Sequence, residues 1–353
     1  MPFFQISKSS YSHKTGRPYR IFLLGLTALL LLNGCASSTA IPSPTIAASQ
    51  TPPSETATAF QQDTATQTSA PPSTATVAPP SYERVLIISI DGLRPEAIVL
   101  TSLPNLENFM DTGTYTLTAE TTLPSSTLPA HASMLTGMCP DKHGIDWNED
   151  AEENGFANSP SIFEIAHNAG LKTVMIVGKK KLRQITLPEN TDIYEFVGDN
   201  DSKVAEVAAQ ILAEGFDLAF VHFAKVDHLG HSHGWLSPTQ LLGAQKADDA
   251  IGVLLNALEE ANLREGTLII ATADHGGYKR DHGGSLPSER KIPWIVSGIS
   301  QDSLVISRPI SITDTAATAA YALGLPIPEI WDGIPALEAF GGIPPERTEL
   351  PCE

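Results

Sequence analysis

The apolar positions along this chain fall into short runs separated by longer amphipathic stretches. Arg84 to Ile90, Lys172 to Val177, Leu218 to Phe223, Leu268 to Ala273 and Ile292 to Val296 are rich in aliphatic residues and bounded by charge or turn residues. Runs this short, with no polar alternation, suit strands buried on both faces. Between them, helical spacing extends over Ser161 to Ala169, Val204 to Ala213 and Thr239 to Ala261. Repeated strand–helix order predicts an α/β fold with a mostly parallel central sheet and helices on both faces. In such a sheet, ligands gather beyond the carboxyl ends of the strands.

The first eighty residues follow a different pattern. Residues 1 to 20 contain Lys8, Lys14, Arg17 and Arg20 and no acid, and an apolar run from Ile21 to Leu32 leads into Asn33-Gly34-Cys35. A basic segment before about a dozen apolar residues reads as a secretory signal, since a spanning helix needs roughly 20. Gly34-Cys35 is similar to a bacterial lipobox, so residues 1–35 are expected to be a lipoprotein signal that leaves Cys35 acylated. The alternative is an uncleaved anchor helix; either places the remainder outside the cytoplasm, attached to the membrane. Residues 36–81 are nearly all Ser, Thr, Pro, Ala and Gln, with Glu55 and Asp63 as the sole charges. Too little apolar bulk is present there to offset ordering entropy, which predicts a disordered tether. Residues 82–353 suffice for one well-buried domain.

Charge narrows the function. The formal net charge is −18, and loss of the signal makes it four units more negative. An acidic chain lacks the basic face a nucleic-acid polymer requires. A small anionic substrate stays possible if metal ions or a few cations reverse the field locally. Cys139 and Cys352 are the two cysteines of the body. An oxidising compartment permits a disulfide between them; the sequence leaves the pairing open.

The ends of the expected strands carry the chemistry. The first ends in Asp91-Gly92, the run near Phe220 leads to Asp227 and His231, and the run near Ile270 ends in Asp274-His275-Gly276-Gly277, with His282-Gly283-Gly284 shortly after. Carboxylate plus neutral imidazole suits zinc and related divalent ions. Three aspartates and three histidines are too many for one tetrahedral ion and fit two. Thr127 precedes Pro129, which suits a helical first turn and predicts Thr127 at the cap. There the helix dipole favours negative charge, so Thr127 is a candidate nucleophile; the alternative is an ordinary helix cap. Lys179, Lys180 and Lys181 follow a strand and read first as a solvated basic turn. Lys179 is kept as a candidate contact to an anionic substrate.

The chain resembles the type I phosphodiesterase / nucleotide pyrophosphatase group of the alkaline phosphatase superfamily. The resemblance rests on Asp91-Gly92-Leu93-Arg94, Ser126-Thr127-Leu128-Pro129-Ala130-His131, Pro140-Asp141-Lys142-His143-Gly144-Ile145, Asp227-His228-Leu229-Gly230-His231, Asp274-His275-Gly276-Gly277 and His282-Gly283-Gly284. It implies an alkaline-phosphatase-like core and a metal-dependent phosphodiesterase domain over 82–353. One zinc would be held by Asp91, Thr127, Asp274 and His275, and a second by Asp227, His231 and His282. Asn148 would bind a non-bridging phosphoryl oxygen, and Thr127 would form a phosphothreonine. His222, His228 and His233 are expected to support or pack rather than to ligate, and Asp314 begins a helix without a catalytic role. A threonine with a neutral asparagine resembles the diesterases more than the phosphomonoesterases, and Thr127-Leu128-Pro129-Ala130-His131 does not match the sulfatase context. Six residues separate His275 from His282, where the larger nucleotide pyrophosphatases carry a long insertion, so nucleotide specificity does not follow. The alternatives are a phosphomonoesterase or a phosphonoacetate-hydrolase-like enzyme on the same fold, and, remotely, a catalytically silent surface-binding protein.

Overall fold

The computed structural model describes residues 82–298 and 303–352. The expected signal, the lipidation site at Cys35 and the tether lie outside the described residues. Eight strands form one sheet: β1 (Arg84–Ile90), β2 (Thr114–Glu120), β3 (Thr173–Val177), β4 (Ile193–Phe196), β5 (Leu218–Phe223), β6 (Thr267–Thr272), β7 (Lys291–Ser297) and β8 (Leu304–Val305). Their spatial order is β4-β3-β5-β1-β6-β7-β2-β8. This is the expected mostly parallel α/β sheet. All of β3, β5 and β6, and β1 after Arg84, are buried, as covered faces require.

β7 departs from the simple strand–helix reading. It runs antiparallel to both β6 and β2. No crossover helix joins β6 to β7; the connection holds His282 and only the four-residue helix Pro287–Arg290. A parallel return needs a crossover of a dozen or more residues, usually helical, so the chain here turns back instead.

Register brings the central carboxyl ends level. Ile90 of β1 pairs with Phe223 of β5, and Ser89 of β1 pairs with Thr272 of β6. The residues just beyond these three strands therefore emerge at one edge. The helices follow the sequence pattern closely: Ile162–Asn168, capped by Ser161 Oγ on Glu164 N; Asp201–Ala213, capped by Asn200; and Pro238–Glu260, capped by Ser237. Among the described residues no helix is long and apolar enough to cross a membrane.

The C-terminal tail is fastened to the far end of the helix that begins at Thr127. Asp332 N and Gly333 N donate to Gly137 O, at the end of the helix Thr127–Thr136. A disulfide joins Cys139 to Cys352 across 213 residues. Asp314 opens the helix Asp314–Ala322, where its buried carboxylate accepts from Arg347 at 2.7 and 2.8 Å. There it anchors the tail.

Candidate metal centre and nucleophile

Two clusters form where the strands end. Asp91 directly follows β1, and Asp274 and His275 follow β6; one donor atom from each lies within 4.8 Å of the others. Asp227 and His231 stand one turn apart on the helix Lys225–His233, and with His282 from the β6–β7 connection they form a second group of the same compactness. Gly92 allows the two groups to approach. Its φ is +73°, and a Cβ there would lie 3.0 Å from both Cα and Cβ of Asp227. A side chain is therefore excluded by both backbone strain and contact.

Hydrogen bonding fixes which ring nitrogen faces inward. His275 Nδ1 donates to Gly276 O at 2.7 Å, His282 Nδ1 to Ser125 O at 2.9 Å, and His231 Nδ1 to Arg280 O at 2.9 Å. A carbonyl only accepts, so each neutral ring keeps its Nε2 lone pair free. Those lone pairs meet carboxylate oxygens. His275 Nε2 is 3.5 Å from Asp91 Oδ1 and 3.3 Å from Asp274 Oδ2, while His231 and His282 Nε2 lie 3.4 and 3.5 Å from Asp227 Oδ1. Asp91 Oδ1, Asp274 Oδ2, Asp227 Oδ1 and His275 Nε2 are buried without a hydrogen-bond partner.

Burial keeps the His275 and His282 rings neutral. It lowers His275 and takes His282 down to about 4, the nearby His275 adding to the drop. Burial, reinforced by Asp91, pushes Asp274 up to about 7. For Asp91, burial is outweighed by Lys179 and His222, which hold its carboxyl well below the usual range. Buried acceptors that converge with no donor between them are costly unless a cation joins them. The donors present fit divalent metal ions.

Thr127 sits beside this centre, fully buried. Its expected place at the helix cap is corrected by one residue: Ser126 is the N-cap, and Thr127 is the first residue of the helix. Ala130 N makes the first helical bond, to Ser126 O. Pro129 thus occupies the third helical position, where an N–H would still lack an intrahelical partner. Lys179 is not in a solvated turn. Its Nζ lies 2.7 Å from Asp91 Oδ2 and 2.7 Å from Asp227 Oδ2, and donates to Thr127 Oγ1 at 3.2 Å. Burial works against its charge, but the carboxylates of Asp91, Asp227 and Asp274 outweigh it and raise the lysine further. A cleft of about 600 Å³ adjoins the second group, lined by Lys179, Phe196, Asp199, Asp227, His228 and His231 among others.

A family model described as type I phosphodiesterase / nucleotide pyrophosphatase matches residues 85–283, more than half of the chain. The chain belongs to this family. The human GPI ethanolamine phosphate transferase 2 catalytic subunit is 26% identical over 275 residues, covering 70% of this chain and 27% of that protein. The rat ectonucleotide pyrophosphatase/phosphodiesterase family member 1 is 25% identical over 213 residues, covering 54% and 24%. The chain thus spans about a quarter of the length of these two relatives. A solved murine ectonucleotide pyrophosphatase/phosphodiesterase 5, an inactive threonine-to-alanine variant in complex with AMP, superposes with a TM-score of 0.61 at 15% identity, over 73% of this chain and 98% of that one.

This type I phosphodiesterase family member surrounds its centre with supporting groups: His222 was expected among them, whereas His131 was given no role from the sequence. Gly178 N donates to His222 Nδ1, so His222 Nε2–H donates to Asp91 Oδ2 at 2.9 Å and steadies that carboxylate. His228 and His233 are exposed. His131 Nδ1 donates to Thr127 O at 2.7 Å and lies 3.3 Å from Asp274 Oδ2, joining the helix of Thr127 to the first group. Its spacing four residues after Thr127 is the signal that could have shown this. Asn148 sits at the start of the same helix, where its Oδ1 accepts from Leu128 N at 2.9 Å.

Proposed function

We propose that the chain is an exported, lipid-anchored hydrolase of phosphodiester or pyrophosphate bonds that works through a phosphothreonine at Thr127. The observation that carries this reading is the pair of three-residue groups converging on orphaned buried acceptors beside Thr127. Asp91, Thr127, Asp274 and His275 would hold one divalent ion and Asp227, His231 and His282 a second, with zinc the best match to this donor set. Bound there, the ions would polarise the phosphoryl group and lower the pKa of the Thr127 hydroxyl.

The chain's own groups then divide the work. Thr127 Oγ1 attacks phosphorus, the bond to the alcohol or phosphate leaving group breaks, and phosphothreonine forms. Water cleaves that ester, returning the hydroxyl and releasing a phosphomonoester or phosphate. Asn148 donates where charge builds on a non-bridging oxygen. Lys179, already 3.2 Å from Thr127 Oγ1, supplies a further positive group to an anionic substrate. That lysine also favours a second reading, a phosphonoacetate-hydrolase-like activity. Turnover of bis-p-nitrophenyl phosphate, p-nitrophenyl phosphate and phosphonoacetate by the zinc-loaded protein separates the readings: the diester should lead, and a wide preference for either other substrate overturns the diesterase assignment. Thr127→Ala should lower diester turnover by at least about 10³-fold with bound zinc retained; substantial residual turnover would remove the threonine from its role.

Export is supported by the basic-then-apolar segment before Cys35 and by the Cys139–Cys352 disulfide, which belongs in an oxidising compartment. Labelled fatty acid should enter the full chain expressed in a bacterium and be lost in Cys35→Ala. Labelling that survives the substitution rules out that anchor.

A further inference from the structure

We infer that Lys181 is a positioning residue that fixes the carboxamide of Asn148 with its NH2 end toward the reacting phosphoryl group. The inference rests on the phosphoryl-transfer reading above. A carboxamide has an accepting end and a donating end of nearly equal size. Presented the wrong way round, Asn148 would set an oxygen lone pair against an anionic substrate.

The structure supplies what removes that ambiguity. Asn148 Oδ1 accepts from Leu128 N at 2.9 Å and from Lys181 Nζ at 2.7 Å, and Lys181 Nζ also donates to the Asn148 backbone O at 2.9 Å. Both partners of Oδ1 are donors, so rotation of the amide by half a turn would set N–H against N–H twice. Leu128 N alone could hold the oxygen end, but a single bond leaves the plane of the amide free to swing. Lys181 adds the second point and ties side chain to backbone. An ammonium has no accepting lone pair, so it tolerates one amide orientation; a neutral amide in its place would accept either.

The surrounding loop is braced from the same short helix, Lys180–Ile185. Lys180 Nζ lies 3.0 Å from Asp150 Oδ2, and Arg183 Nε donates to Asp150 Oδ1 at 2.8 Å. Gln184 Nε2 donates to Ala151 O at 2.7 Å. These three hold the backbone beyond Asn148. Among the described residues of this helix, Lys181 is the one bonded to the Asn148 carboxamide. The helix directly follows Lys179, so a single turn after β3 delivers one ammonium to Thr127 and a second to Asn148.

A double-mutant cycle tests the inference, because a residue acting through Asn148 loses its effect once Asn148 is gone. Zinc-loaded wild type, Lys181→Met, Asn148→Ala and the double variant are compared on bis-p-nitrophenyl phosphate. Lys181→Met should lower kcat about tenfold with little change in KM, and should cost less than about twofold in the Asn148→Ala background. Lys181→Arg, which keeps donors only, should recover most of the loss, and Lys181→Gln should not. An equal factor in both backgrounds overturns the inference and makes Lys181 a direct substrate contact. Should Lys181→Met fail to fold, judged by thermal melting and zinc content, Lys181→Gln carries the same cycle. Inorganic phosphate affinity by calorimetry repeats it without turnover. A wild type inert to every ester would end the functional reading, while the phosphate cycle would still decide the orientation of Asn148.

Discussion

Lys179 holds its ammonium against two carboxylates and a hydroxyl, in the space where divalent ions would compete with it. Removing one partner of a buried charge cluster costs about 3–5 kcal/mol; with the lysine about one-fifth exposed, roughly 2–3 kcal/mol is the better expectation. Lys179→Met should therefore destabilise the metal-free protein by about that amount. With zinc bound, the ions neutralise Asp91 and Asp227 themselves, so the loss should shrink and zinc should bind the variant more tightly. Denaturant melts with EDTA and with zinc would check this; the same loss in both would show that the lysine and the ions do not share the site. At this scale the sequence was informative where chemistry and spacing coincide. Asp91, Asp227, Asp274 and the three histidines stand out because they fall in the stretches after apolar strands, most of them close to glycines. Lys179 did not, since three consecutive lysines look the same whether they point into solvent or into a cluster of acids. Its direction depends on how the chain leaves β3, which the composition does not record.

The elements around the site are positioned by close backbone approaches more than by side chains. Gly92 is one of these, placing the turn after β1 against the first residues of the helix that carries Asp227 and His231. Gly92→Ala forces a Cβ to within 3.0 Å of Asp227 and puts an alanine at positive φ. The helix must then shift, moving the second group away from the first. Zinc affinity should fall about 10–100-fold, the range seen when groups that orient ligands are lost, while far-UV circular dichroism keeps its wild-type shape. Unchanged affinity would mean that the helix start yields without moving its ligands. Element legibility followed burial in the same way. The strands buried on both faces were readable as apolar runs, whereas β2 alternates buried and partly exposed positions through Thr-Tyr-Thr-Leu, and β4 is two half-buried and two exposed residues at the sheet edge. Neither contains enough consecutive apolar residues to register as a run. The reversed direction of β7 was hidden for another reason: orientation is set by the connection, and the β6–β7 connection spends its length on His282 instead of a crossover helix.

At the scale of the whole molecule, two acid-sensitive groups belong to the helix of Thr127 or bond to it. His131 and His143 are fully buried, and burial takes each down to about 4. His143 has a fixed tautomer: Ile145 N donates to its Nδ1, so its Nε2–H donates to Ser133 Oγ. Protonation would leave two donors facing each other at Nδ1. In the unfolded chain a histidine titrates near 6.5, so between about 6.5 and 4 the unfolded state binds more protons than the folded one. Stability is then fully present above that window and is lost as pH falls through it. A shift of this size corresponds to about 3 kcal/mol per ring at the acid end. The remaining carboxylates titrate in the same range, so the total slope does not isolate the histidines; a difference between variants does. His143→Gln keeps a donor for Ser133 and an acceptor for Ile145 but cannot ionise. It should unfold more readily than wild type at pH 7, yet lose about 3 kcal/mol less between pH 7 and 4 in urea melts. Parallel slopes for the two proteins would show that His143 ionises in the folded state without penalty. The disulfide at Cys139 and the bonds from Asp332 N and Gly333 N to Gly137 O bind the tail to the far end of the same helix, so the acid response of its core should be felt at Thr127. That arrangement could not be read from the chain alone, because Cys139 and Cys352, 213 residues apart, meet only through the tertiary fold.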